Sequence, residues 1–268
     1  MTTSTTTSSR RDRALRRTAA TAALAALALL PAGLPASARA EVPVGTPTFP
    51  TPLAIDNAFL PVVPGAMKVF GGRDGRQSVV IVERHLNETR TFTWGDEVVE
   101  CRVVEETKFV AGQLVAREQV FLAQAGDGSV WTFGEIEDDD PDDDGGDDAN
   151  EPGGWVVGQV APGDPVDAVS AAAPSLRMPA TPQRGDTWLS ENVAPHFVSV
   201  ARVQSDEAAL RGSARRSAAR RGLRVHVNDT ADGSAETEWY AEGFGRVQAR
   251  APGESLVLRA STLRRRTR

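Results

Sequence analysis

The sequence predicts a mainly β fold: a curved antiparallel sheet or incomplete barrel or sandwich, with a long proline-rich covering loop. Three observations carry this. Short segments alternate β-branched or aromatic residues with polar ones, the period of a half-buried strand. Asp74-Gly75, Asp127-Gly128 and Asp232-Gly233 each lie between two such segments, and Asp-Gly supplies the positive φ angles of a tight hairpin. No segment holds a capped helical period, and 17 prolines interrupt the chain.

Taken in order, Arg10, Arg11, Arg13, Arg16 and Arg17 precede an apolar run over 19–34, and Ala38 and Ala40 occupy the two small-residue positions behind it. That is the pattern of an export signal over 1–40, cut before Glu41. The run is too short for a comfortable span and holds Pro31, so no stable membrane span is expected after cleavage. The expected destination is extracellular or cell-wall associated. Residues 41–54 read as a flexible leader, 55–262 as a single β-rich domain with an acidic loop over 135–151, and 263–268 as a basic tail. A split into two subdomains near 150–180 is the alternative.

Removing 1–40 takes away six arginines and Asp12, so the formal charge moves from -6 to -11. Residues 135–151 hold eleven carboxylates and no base, and the remainder of the mature chain is balanced. A neutral body with one acidic loop excludes a nucleic-acid binder, which needs a positive footprint. Cys101 is the one cysteine, so no intramolecular disulfide can form. It alternates with Val99 and Val103 on the expected buried side of a strand.

Within the domain, Asp56 and Asn57 are turn formers whose side chains can bond nearby backbone N–H groups, and Phe59, Leu60 and Val62 are placed to close one end of a barrel. Strands are expected over 68–71, 77–85, 89–94, 98–105, 114–123 and 129–133, then over 187–190, 197–204, 223–227, 235–241, 245–249 and 255–258. Prolines over 153–188 deny a long element, apart from a helical turn or two over 168–173. Trp155, Met178 and Trp188 are expected to hold this segment over the sheet. The arginine-bearing stretch 207–221 reads as a solvated loop or short basic helix.

The segments IDNAFLPVVPG, SVWTFGE, MPATPQRGDTW and EWYAEGFGRV together resemble a family of exported bacterial proteins of uncharacterised function. The matching positions are Asp56, Asn57, Pro61, Pro64 and Gly65; Trp131, Phe133, Gly134 and Glu135; Met178, Pro179, Pro182, Gly185 and Asp186; and Trp239, Tyr240, Ala241, Gly243 and Gly245. The resemblance implies a secreted location and a β fold, and it implies no catalytic residues.

One motif names a ligand. Asp140, Asp142, Asp144, Gly145 and Glu151 stand at the spacing D-x-D-x-D-G-x5-E, where hard oxygens, a turn glycine and a closing glutamate suit calcium. Pro141 and Asp147 depart from that pattern, and no amphipathic helix flanks it. A solvated loop held open by its own repulsion is the competing reading. Calcium is the only cofactor suggested.

His85, His196 and His226 are too scattered for a transition-metal motif. His85 shares a strand face with Glu83 and is expected at the surface, as is His226. The functional expectation is an exported non-catalytic binding protein. Its concave face would hold an apolar small molecule, with Val80, Val82, Val99, Val103, Leu114 and Trp131 as liners by periodicity. Two alternatives stand beside it. One is a structural or protein-interaction module contacting an envelope component, with an exposed aromatic patch near Trp155 or Trp188. The other is a hydrolase whose site is assembled from distant residues.

Overall fold

A computed structural model describes residues 40–42, 45–50, 53–138, 153–210, 222–230 and 233–263. Its described residues form strands and turns, with no helix. Two short strands of the N-terminal half are β1 (Ala40–Glu41) and β2 (Met67–Asp74). Four long ones follow as successive hairpins: β3 (Gln77–Trp94), β4 (Glu97–Val110), β5 (Gln113–Gln124) and β6 (Val130–Asp138). The proline-rich segment supplies β7 (Gly154–Val157), β8 (Val169–Ala171) and β9 (Ser175–Met178). The remainder comprises β10 (Asp186–Val193), β11 (Phe197–Ser205), β12 (Gly222–Asp229), β13 (Ala235–Ala241), β14 (Gly245–Ala251) and β15 (Glu254–Ser261).

All belong to one sheet, in the order β1-β10-β11-β12-β13-β14-β15-β2-β3-β4-β5-β6-β7-β8, with β9 paired to β6. Both halves of the chain therefore join through the β15–β2 pairing, which runs from Glu254↔Asp74 to Ser261↔Lys68. The sheet curls into a nearly closed barrel with one unsealed seam. At that seam β9 lies along β6 on one side, and Ser175 Oγ accepts a hydrogen bond from Asn192 N–H of β10 on the other (3.1 Å).

The turn chemistry behaves as the sequence dictates. Gly75, Gly128 and Gly233 have φ of +53°, +92° and +75°, the left-handed region that an Asp-Gly hairpin requires. Two strand expectations change. Segments 77–85 and 89–94 are one strand, β3, whose pairing with β4 shifts between His85 and Thr89. The shift changes which face is covered: Val79, Ile81, Glu83 and His85 are buried before it, and Phe92 after it. The helical turn expected over 168–173 is instead β8, paired in parallel with β7. Alanine's helix propensity is outweighed there by ladder bonds to a neighbouring strand.

The core follows these faces. One cluster joins Phe92, Val99, Cys101, Val103, Phe121 and Phe133 to Trp155, Trp188 and Val225. A second gathers Phe70, Val79, Ile81, Val247, Leu256 and Leu258. Residues 45–50 contribute to the first, because Phe49 packs edge-on against Phe133 (5.0 Å) and Trp94 (6.2 Å). Arg90 holds the covering segment down. Its guanidinium lies over Phe92 and Phe121 (4.9 and 4.6 Å) and donates two bonds to Asp164 (2.7 and 2.8 Å).

Candidate functional site

The residues nominated by sequence meet different fates. Asp140, Asp142, Asp144 and Glu151 lie outside the described residues, as does most of 207–221. Among the described residues no group of three or more His, Cys, Asp or Glu could hold a metal ion. The proposed valine liners divide. Val99, Val103 and Trp131 are buried, but Val80 is 40% exposed because the inward face of β3 is the one carrying Val79 and Ile81. Period-2 alternation identifies two faces without saying which is inside, and on β3 both carry valine or isoleucine. Trp155 and Trp188 are buried, so they form no exposed aromatic patch.

The histidine expectation is corrected most sharply. His85 is buried at 2% exposure and does not face solvent. Its Nδ1 accepts the Val63 N–H (2.9 Å), so the ring proton sits on Nε2, which donates to Glu83 Oε1 (2.9 Å). With both nitrogens committed, this ring has no lone pair to offer a nucleophile. His226 Nδ1 is within 3.1 Å of Thr237 Oγ1, and His196 lies in the β10–β11 turn. Burial pushes the Cys101 thiol well above its ordinary range, against Arg90 and with help from Glu100, which leaves it protonated and unreactive.

What the sequence did not disclose is a buried network of charges. Cross-strand register puts Glu83 opposite Glu106, Glu106 opposite Glu118, and Glu118 opposite Glu137, one row of carboxylates across four strands. Like charges directly opposite repel, so the row demands cations. Lys68, fully buried, bonds Glu83 Oε1 at 2.7 Å, and Lys108 bonds Glu254 Oε2 at 3.2 Å. Arg246 contacts Glu106 directly and lies 3.5 Å from Glu238 Oε1 and 4.0 Å from Glu83 Oε2. Gly245 makes room for this arrangement: at φ +79°, a Cβ there would fall 2.9 Å from Lys68 Nζ.

Burial alone would raise the Glu83 carboxyl, but Lys68, the His85 hydrogen bond and Arg246 hold it well below the usual range. Glu238 is likewise held down against burial by Arg177, Arg246 and the Tyr240 hydroxyl, which donates to its Oε2 at 2.6 Å. Glu236, two residues away on the same strand face, is pushed up to about 7. Burial is the main cause and repulsion by Glu238 adds to it, with Arg246 and Arg177 only partly offsetting them. A signal for this network was present: Glu236, Glu238 and Tyr240 alternate on one strand, as do Glu83 and His85 on another. Buried Glu and Lys are rare enough that such alternation reads first as a wet face.

The open space lies elsewhere. A groove of about 460 Å³ runs between the leader and one end of the barrel, with Trp131 and Leu176 among its lining residues. None of the network residues lines it. Its framework is Asn57, whose side chain makes four hydrogen bonds. Oδ1 accepts from Phe59 and Leu60 N–H (2.9 and 3.1 Å), and Nδ2 donates to Gly128 O and Pro179 O (2.9 and 3.1 Å). The β5–β6 turn and the β9–β10 connection are thereby tied to one amide. The leader joins them through Thr48 O, which accepts the Gly126 N–H (2.8 Å), and through β1, which pairs in parallel with β10. Phe59 and Val62 are buried in the first core cluster at 2% and 5% exposure, with Leu60 packed against it.

Fold and site together define a class: an all-strand, nearly closed barrel with a buried ionic network beside its apolar core and an external groove lined partly by Glu41, Val42 and residues 45–48. Beyond that class, the chain matches no protein-family model, no curated protein and no solved structure.

Proposed function

We propose that this is an exported, non-catalytic binding protein whose ligand occupies the groove between the leader and the barrel end. The observation carrying this reading is the groove itself, whose volume of about 460 Å³ is in the range of small-molecule sites. The interior is packed by two clusters of buried apolar side chains, with Lys68, Glu83, His85, Glu106 and Arg246 paired among themselves beside them. Three further points favour binding over hydrolysis. His85 has both nitrogens bonded, Cys101 is buried as a thiol, and no described histidine stands beside both an acid and a nucleophile.

Thr46 and Thr181 line the groove, so Thr46→Trp and Thr181→Trp would fill it without touching the core. In a thermal-shift screen of chemically diverse small molecules, compounds that stabilise the wild type should lose that effect in both variants. Stabilisation that persists unchanged in both would place binding elsewhere and defeat the reading.

A further inference from the structure

The lining of the groove is one-sided in charge. Glu41, Asp127 and Asp186 contribute carboxylates, and among the described residues no Lys, Arg or His lines it. The two aspartates are held in place by one oxygen each. Asp127 Oδ1 accepts both the N–H (2.9 Å) and the hydroxyl (2.6 Å) of Ser129, and Asp186 Oδ2 accepts the Gln183 N–H (2.8 Å). Their second oxygens, Asp127 Oδ2 and Asp186 Oδ1, make none of these bonds. Trp131 donates its indole N–H to Ser129 Oγ (2.8 Å), so that donor is already committed and the ring offers the groove carbon surface. Leu176, Val42, Pro47 and Pro179 add further apolar lining.

Resting on the groove reading above, we propose that its ligand is a small organic cation, an ammonium group carried on an apolar body. Glu41 and Asp127 are exposed and Asp186 is half-buried along this concave wall, so together they attract positive charge most strongly at low ionic strength, while the carbon surface favours an aliphatic or aromatic body over a hydrated ion. The same field repels an anion. A neutral polyol would satisfy the free oxygens but would gain nothing from the charge. A cut before Glu41 would add one α-ammonium at the groove's edge, where Glu41 pairs with Thr187, and the lining would stay net negative.

Titration calorimetry of the purified protein with phenethylammonium, 2-phenylethanol and 3-phenylpropionate separates the outcomes. The cation should bind at least about tenfold more tightly than the alcohol at low ionic strength, and the gap should narrow with salt. The anion should not bind. Asp127→Asn and Asp186→Asn keep the structural acceptor oxygens, and each should weaken the cation about fivefold while leaving the alcohol unchanged. Equal binding of cation and alcohol overturns the cationic ligand but leaves the groove standing. Cation binding indifferent to both substitutions overturns the site. No binding by any of the three overturns the groove reading as well.

Discussion

Glu236 and Glu238 stand two residues apart on β13 and titrate in opposite directions, because only Glu238 receives direct partners. The consequence for stability has opposite signs. A carboxyl whose folded pKa is raised keeps its proton when the unfolded chain has lost it, so its contribution is present at low pH. For Glu236 that contribution is lost as pH rises from the unfolded value near 4.5 to about 7. Glu83, Glu238 and Asp164 are held below their ordinary values, so their contributions are present above it and lost as pH falls. Glu236→Gln should therefore match the wild type at pH 5 and exceed its unfolding free energy at pH 8 by roughly 2 kcal/mol. Urea denaturation at the two pH values reads this directly, and a variant equally stable or weaker at pH 8 would contradict it. Single residues also show the reach of sequence reading. Asn57 was legible as a turn former, since its Oδ1 bonds to Phe59 and Leu60 are local. Its bonds to Gly128 and Pro179 join positions 71 and 122 residues away, and nothing in local pattern encodes them.

At the level of elements, Arg246 shows how the sheet is held in its curve. Its strand β14 is separated from Glu106 on β4 by β15, β2 and β3, four spacings of about 4.8 Å along the sheet. A path of roughly 19 Å is closed by one direct ion pair, which requires the sheet to bend until side chains meet across its interior. Removing the guanidinium takes the direct cation from Glu106 and a second cation from Glu83 and Glu238, which keep Lys68 and the Tyr240 hydroxyl respectively. Arg246→Ala should cost about 3–5 kcal/mol, and Arg246→Lys should recover little, since one ammonium cannot replace a planar fork facing three carboxylates. Guanidinium chloride denaturation tests both, and a loss below about 1 kcal/mol for the alanine variant would show that the network is not what keeps the sheet curled. Most strands were readable because hairpins place their turn residues locally: Gly75, Gly95, Gly128 and Gly253 all take positive φ between consecutive strands. β7, β8 and β9 were not, because four, three and four residues among prolines carry too little pattern. They exist through pairing with β6 and with each other.

For the whole molecule, the ordering of one sheet across both halves gives an interior filled by two apolar clusters and a buried ionic network, and a groove outside it. The resemblance motifs acquire a physical reading on this scale. Asn57, Trp131, Pro179 and Asp186 come from three distant segments and meet around that groove. Tyr240 and Gly245 belong instead to the ionic interior, with the Gly243 N–H bonded to Ala58 O beside Asn57. Segment 55–65 thus links the two places, and the sequence could nominate it as an end cap without showing what it caps. The filled interior and the external groove are separate places, since none of the network residues lines the groove. Amide chemical-shift mapping during titration with phenethylammonium tests that separation most directly. Perturbations should concentrate at residues 41–48, 125–131 and 176–186, with Glu83, Glu106 and Arg246 unmoved; shifts centred on those three interior residues would contradict it.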